Sequence, residues 1–226
     1  PCVYEGLAME LFGGENLIRL LGGLGVTLQI ALISIAVSLA LGLVLGILMA
    51  SGRRALYIPL KICLEIVRIM PPIVWLFIVY FGASKAFGIH ISNIAASIIV
   101  FSVWGVFEMM DLVRGAVLSI PKHQFESAEA LAFSRFQIYL YVILPLAMRR
   151  LVPAAINLFS RMIKTTSIAV LIGVIELVKV GQQIIEVNVF RDNYAPLIIY
   201  GAIFFVYFLI CYPISALSKK LENRWS

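Results

Sequence analysis

Between residues 20 and 52 the chain carries no charged side chain, a run longer than the roughly 20 residues an α-helix needs to cross the ~30 Å hydrocarbon core of a bilayer. Inside lipid every backbone N–H and C=O has to be paired within the protein, so such a segment reads as a transmembrane helix. Further apolar runs follow at 57–81, 86–107, 151–175 and 193–218, of which 57–81 and 151–175 contain charges. With 62% hydrophobic and 13% charged residues and a mean hydropathy of +1.02, the chain lies well outside soluble-domain composition, where about a quarter of residues are charged. The expected fold class is all-α: a polytopic membrane helical bundle of about five transmembrane helices, forming one domain over residues 1–226. Arg53 and Arg54 after the first run mark it as a retained span and not a cleaved signal segment.

The formal net charge of +6 does not point to nucleic acid, because the Lys and Arg residues sit at the ends of apolar runs and not in a patch interleaved with aromatics. They read as topology signals, since short cytoplasmic segments are enriched in Lys and Arg. One set of alternate ends holds Arg53, Arg54, Lys61, Arg114, Lys122, Arg135, Arg149, Arg150, Lys219, Lys220 and Arg224, against only Arg19, Lys85, Lys179 and Arg191 on the other. The N-terminus, with Glu5, Glu10 and Glu15, is therefore expected outside, and the C-terminus and the polar segment after the third span in the cytoplasm. Cys2, Cys63 and Cys211 are far apart, with no C-x-x-C and no nearby His, which predicts three unpaired thiols and no metal site.

Two spans are interrupted. Met70 precedes Pro71 and Pro72, whose rings remove backbone donors and push Met70 away from helical geometry, so either a passive kink or an unwound turn is expected. Lys164, Thr165, Thr166 and Ser167 break the fourth run, suggesting a span followed by a short re-entrant or surface helix. Lys61, Glu65 and Arg68 share one helical face, and Asn157, Arg161 and Lys164 repeat that spacing on the fourth span. Charges at bilayer depth cost several kcal/mol, so each stripe serves either an interhelical salt bridge or the polar wall of a water-filled path. The substrate-path candidates are accordingly Glu65, Arg68, Asn157, Arg161, Lys164 and Thr165. Glu108, Asp111 and Arg114 form a third series at the end of the third span, read as ordinary boundary ion pairing.

Signals for catalysis are missing: there is no G-x-x-x-x-G-K-[ST] loop, no Ser, His and acid set, and His90 and His123 fall on opposite sides of the expected membrane. No catalytic residue and no cofactor are assigned to this chain. Gly22, Gly23 and Gly25 cluster, and Gly42 and Gly46 form a G-x-x-x-G that either packs tightly against another helix or arises by chance.

Within the polar segment, Glu126 to Leu131 carry helical signals, and Ser134 to Gln137 read as a turn and a second short helix ending before Pro145. Two short helices joined by a tight turn make either a protruding knob or an amphipathic loop lying on the bilayer. Here Glu126, Ser127, Ala128, Ala132, Val142, Leu144 and Pro145 resemble the EAA motif of ABC importer permeases. Leu112, Val113, Arg114, Gly115, Ser119, Ile120, Pro121 and Lys122 resemble the lead-in to that motif in the polar amino acid subfamily, and Lys164, Thr166, Ser167, Ile172, Gly173, Val174 and Glu176 resemble its fourth span and the segment after that span. The chain departs from the pattern at Ser127 for alanine, Ala132 for glycine, Asp111 for glutamate, and at Arg68, Ile69, Met70, Pro71 for Arg-Gly-Thr-Pro.

The resemblance implies a type I importer permease with a MetI-like fold, in which a coupling insert at about 121–146 enters a cleft of a separate cytoplasmic ATPase through Glu126, Ser127, Ala128, Ala132, Phe133 and Ser134. It further implies a second permease subunit, identical or related, an extracytoplasmic solute-binding protein, a polar amino acid as substrate, and ATP with Mg bound by the partner ATPase. The setting implied is multi-pass in the bacterial cytoplasmic (inner) membrane, surrounded by membrane lipid. The alternative carried by the same intramembrane charges is an ion-coupled secondary transporter acting without an ATPase.

Overall fold

A computed structural model describes residues 11–190 and 193–225; Cys2, Glu5, Glu10 and Arg191, used above for thiols and topology, lie outside the described residues. Among the described residues all regular structure is helical: α1 (Gly14–Ala50), α2 (Arg54–Ile69), α3 (Pro72–Phe77) continuing through a π-helical turn (Ile78–Gly82) into α4 (Ala83–Phe87), α5 (Asn93–Leu118), α6 (Lys122–Ala130), α7 (Arg135–Gln137), α8 (Leu144–Thr165), α9 (Leu177–Asn188) and α10 (Ala195–Trp225). Four helical stretches are long and apolar enough to cross a membrane, or five when α2 and α3 are counted as one broken span, as the hydropathy runs predict. Outward residues such as Ile18, Leu197 and Phe204, each more than 70% exposed, are apolar, the surface a helix presents to lipid.

The break falls where the prolines demand it. Met70 is extended (φ −82°, ψ 130°), and Pro72 opens α3 at a first-turn position where no N–H is needed. After α8 the ladder tightens into a 3₁₀ segment, Thr166–Ile172, which closes on Gly173 in the left-handed region (φ +80°). The 12-residue α9 that comes next spans about 18 Å, too short to cross the bilayer, in keeping with a re-entrant or surface helix.

The described chain groups into two compact units. One takes residues up to 33, 72–101 and 162–212; its cores gather Leu20, Leu177, Val180, Ile184, Ile199 and Ile203, and separately Ile30, Leu76, Val100, Phe101, Ala169 and Ile172. The other takes 34–71, 102–161 and residues from 213 on, with Met49, Leu64 and Met110 in one cluster and Ile120, Ala128, Ile138, Ile143 and Ala147 in another. Within this second unit the G-x-x-x-G of α1 meets α5 closely. A Cβ on Gly42 would lie 2.5 Å from the Met109 Cβ, and one on Gly46 would overlap the Val113 Cβ and lie 2.9 Å from the Met110 carbonyl. Those neighbours are backbone and branch-point atoms that cannot rotate away, so the ~1 kcal/mol of helix propensity gained on replacing glycine is outweighed. Gly46→Ala is expected to destabilise the purified protein by about 2 kcal/mol, while Gly25→Ala, with open space around it, is neutral or mildly stabilising. Thermal unfolding in detergent distinguishes the two.

The polar segment does form a helix, a tight turn and a second helix. α6 ends in a Schellman arrangement, Phe133 N–H donating to the Ala128 carbonyl at 3.2 Å and Ala132 N–H to the Glu129 carbonyl at 2.9 Å. This sets Ala132 at φ 57°, alone among described non-glycine residues in having positive φ. Ser134 then caps α7, accepting from the Gln137 N–H while its own N–H donates to the Gln137 side chain. The second helix does not end before Pro145, as expected from the sequence, but runs on through a π-helical stretch, Ile138–Ile143, into α8. The wider turn lets Leu144 N–H reach the Tyr139 carbonyl, absorbing one extra residue next to the missing Pro145 donor. Because an alanine in the left-handed region costs about 1 kcal/mol that a glycine does not pay, Ala132→Gly should make the hairpin more resistant to limited proteolysis by several-fold.

Candidate functional site

Trp104, Glu108 and Asp111 recur at helical spacing on one face of α5, and three guanidiniums converge on the two acids. Arg161 of α8 donates to Glu108 at 2.5 Å and lies 5.4 Å from the Trp104 ring centre. Arg68, near the end of α2, bonds Asp111 at 2.7 Å and reaches Glu108 at 3.5 Å, and Arg114 closes the chain on Asp111 at 2.7 Å. Arg68 and Arg161 are 43% and 53% exposed as side chains, and in water such pairs would be worth at most about 1 kcal/mol. At membrane depth the comparison changes: an unpaired charge costs several kcal/mol, so pairing decides whether these arginines are tolerated. Three guanidiniums facing two carboxylates leave one positive charge over, a field that attracts a carboxylate.

The two predicted stripes are thus joined at Arg68 and Arg161, through Glu108. Lys61 lies 5.7 Å from the Tyr57 ring and Glu65 lines a shallow apolar depression with Ile58, Ile62 and Ile69, outside the ion network. Asn157 opens onto a separate cleft, while Lys164 is exposed and Thr165 half-buried at the end of α8. Glu108 and Asp111 are the central groups, although in the sequence they read as boundary pairing. Their spacing with Trp104 is readable in the sequence, but their partners Arg68 and Arg161 sit 40 to 53 residues away.

On the hairpin, Glu126, Ser127, Ala132, Phe133 and Ser134 are exposed, together with Leu131 (71%) and Phe136 (76%). Ala128, named with them, instead turns inward at 3% exposure and packs on Ile120, Ile138 and Ile143, fastening α6 to the next helix.

A second polar cluster lies in the other unit. Glu176, fully buried, caps α9 by accepting from the Lys179 N–H at 2.8 Å, and its other oxygen is 3.4 Å from the Thr27 hydroxyl. Thr27 also accepts from the Leu177 N–H at 3.3 Å and donates to the Gly23 carbonyl at 3.1 Å. A side chain on Gly23 would strike Val180 at 2.9 Å, so the close approach of α1 to the start of α9 requires glycine there. Burial pushes the Glu176 carboxyl above the usual carboxylate range, against the pull of the Val178 and Lys179 N–H groups and of Thr27. Thr27 has one hydroxyl proton; with Glu176 protonated and donating to Thr27, that proton is left for Gly23 and every group is satisfied. An acid whose folded-state affinity for a proton is raised stabilises the fold at low pH and loses that contribution as pH rises through the raised value. Glu176→Gln keeps the cap and should flatten the decline of melting temperature as pH rises above the ordinary carboxylate range, whereas Glu176→Ala should cost about 1 kcal/mol of capping at any pH.

Among the described residues no three His, Cys, Asp or Glu side chains come together as metal ligands, and Cys63 and Cys211 form no disulfide. Residues 42–226 match the family described as the binding-protein-dependent transport system inner membrane component. The chain belongs to this family. The permease is 35% identical over 162 residues to the glutamine transport system permease protein GlnP of Escherichia coli K12, covering 71% of this chain and 72% of that one. It is 30% identical over 213 residues to the probable glutamine ABC transporter permease protein GlnP of Bacillus subtilis 168, covering 94% and 96%. In fold it resembles an amino acid ABC transporter crystallised with histidines, at a TM-score of 0.81 and 24% identity over 93% of this chain and 95% of that one. The inward-facing MetNI methionine transporter comes next at 0.73 and 20%, over 95% and 99%. The permease is therefore a multi-pass inner-membrane transporter component of MetI-like fold, and its family assignment favours an ABC importer subunit over an ion-coupled transporter acting alone.

Proposed function

We propose that this permease moves a polar amino acid into the cell, with the whole chain acting as one domain, its N-terminus outside and its C-terminus and the 121–146 insert in the cytoplasm. The observation that carries the reading is the exposed hairpin tip, Glu126, Ser127, Ala132, Phe133 and Ser134 with Leu131 and Phe136, on a chain whose relatives include glutamine permeases. A charged, aromatic-rich knob fastened by Ala128 and continuous with α8 is a lever suited to transmitting force from a cytoplasmic ATPase, which binds ATP and Mg itself. An extracytoplasmic binding protein delivers the solute, and a second permease chain completes the passage.

On this reading the surplus positive charge of the Arg68, Glu108, Asp111, Arg114 and Arg161 group steers the substrate carboxylate, with Glu65, Asn157, Lys164 and Thr165 as further candidates along the path. The test is reconstitution of the complex in proteoliposomes, followed by a screen of amino acids in the presence of ATP. Uptake of glutamine or another polar amino acid that needs both ATP and the binding protein supports the reading. Uptake driven by an ion gradient in vesicles without an ATPase would reinstate the secondary transporter.

A further inference from the structure

In the second unit a cleft of about 420 Å3 opens between the first turns of α8 and the last turns of α10, lined by Arg149, Arg150, Pro153, Asn157, Glu222 and Trp225. Its walls are held in place. The Ser218 hydroxyl donates to the Pro153 carbonyl at 2.8 Å, and the Ser160 and Ser215 hydroxyls are 3.3 Å apart, so the helices touch on one side of the cleft and part at their charged ends. Arg150 is anchored as well, donating to the Ser119 carbonyl. Arg149, by contrast, meets no acid and no hydrogen-bond acceptor among the described residues. Pro153 has no N–H, which leaves the Arg149 carbonyl one turn earlier without its α-helical donor.

The cleft is therefore lined by two basic residues and one acidic residue, Arg149, Arg150 and Glu222, with the Arg149 carbonyl lacking its α-helical donor. Its level is set by α10, whose apolar run gives way at Ser218 to Lys219, Lys220 and Arg224 before Trp225. Indoles and basic side chains gather at the headgroup level of a bilayer, and basic clefts between spans take lipid phosphates. We propose that this cleft binds a phospholipid headgroup, with its phosphodiester against Arg149 and Arg150 and its own donor, an ammonium or a hydroxyl, toward Glu222 and the Arg149 carbonyl. The carboxylate in the lining disfavours a bare inorganic phosphate and favours a singly charged diester that carries a donor. Neither arginine belongs to the ion network on α5, although Asn157, a candidate along the proposed transport path, also lines the cleft.

The test uses the permease extracted from its native membrane with its partners in mild detergent, and counts bound phospholipids by native mass spectrometry. Wild type and Arg149→Lys are expected to retain one phospholipid per permease chain that Arg149→Gln holds with about fivefold lower occupancy. Millimolar inorganic phosphate and millimolar glutamine are expected to leave that lipid in place. Equal lipid counts in wild type and Arg149→Gln would overturn the proposal. So would displacement by inorganic phosphate, which would make the cleft a free-anion site, or by glutamine, which would make it a site for a cytoplasmic amino acid.

Discussion

Glu108→Ala is expected to reduce the yield of monodisperse protein severely and to lower uptake per assembled complex by roughly a hundredfold or more. Glu108 receives Arg161 at 2.5 Å and Arg68 at 3.5 Å, so its loss removes the acid between two guanidiniums. Weakening the pairing of a charge at bilayer depth costs up to about 2.5–3.5 kcal/mol on the lenient insertion scale, and Arg161 loses its Glu108 ion pair outright whereas Arg68 keeps Asp111. The double variant Glu108→Ala with Arg161→Leu removes both partners and should recover assembly, since breaking a pair is far more damaging than replacing it by apolar groups. Uptake should stay low in that variant, because one of the positive charges proposed to steer the substrate carboxylate is gone. Recovery of assembly and transport together would mean that the network serves folding alone.

Glu126→Lys should leave the permease folded and inserted while abolishing transport. Glu126 is exposed on α6, with no ion-pair partner among the described residues, so its reversal disturbs nothing within the chain. A reversed charge facing a complementary partner costs about 2–5 kcal/mol, enough to reduce substrate-stimulated ATP hydrolysis roughly a hundredfold. The check is co-purification of the ATPase subunit with wild type and variant at matched expression. Undiminished capture of the ATPase by Glu126→Lys would remove this residue from the docking surface.

Features governed by local chemistry were legible in the amino-acid order. Uncharged runs gave the spans because lipid tolerates little else, and Met70, Pro71 and Pro72 placed the break because their constraints act on adjacent backbone. Gly42 and Gly46 suggested a contact but not its partner, which turned out to be Met109 and Val113. The run through Pro145 is hidden from the sequence because proline opposes an α-ladder, while the π turn at Ile138–Ile143 supplies another way to accommodate it. The ion network and the Glu176 cluster were beyond reach for a different reason. Arg161 meets Glu108 across 53 residues and Glu176 meets Thr27 across 149, and no periodicity within one helix encodes such meetings. Asp111 and Arg114 looked like an exposed boundary pair because the third member, Arg68, comes from another helix.

The π-helical stretch at Ile138–Ile143 also fixes the direction in which the hairpin tip points. One surplus residue in that stretch turns everything before it by about 100° relative to α8, the rotation per residue of an α-helix. Relatives that gain or lose a single position here would aim the same tip at a different azimuth. Sequence length across six residues, more than the identity of any one side chain, would then determine which neighbouring subunit the tip can meet.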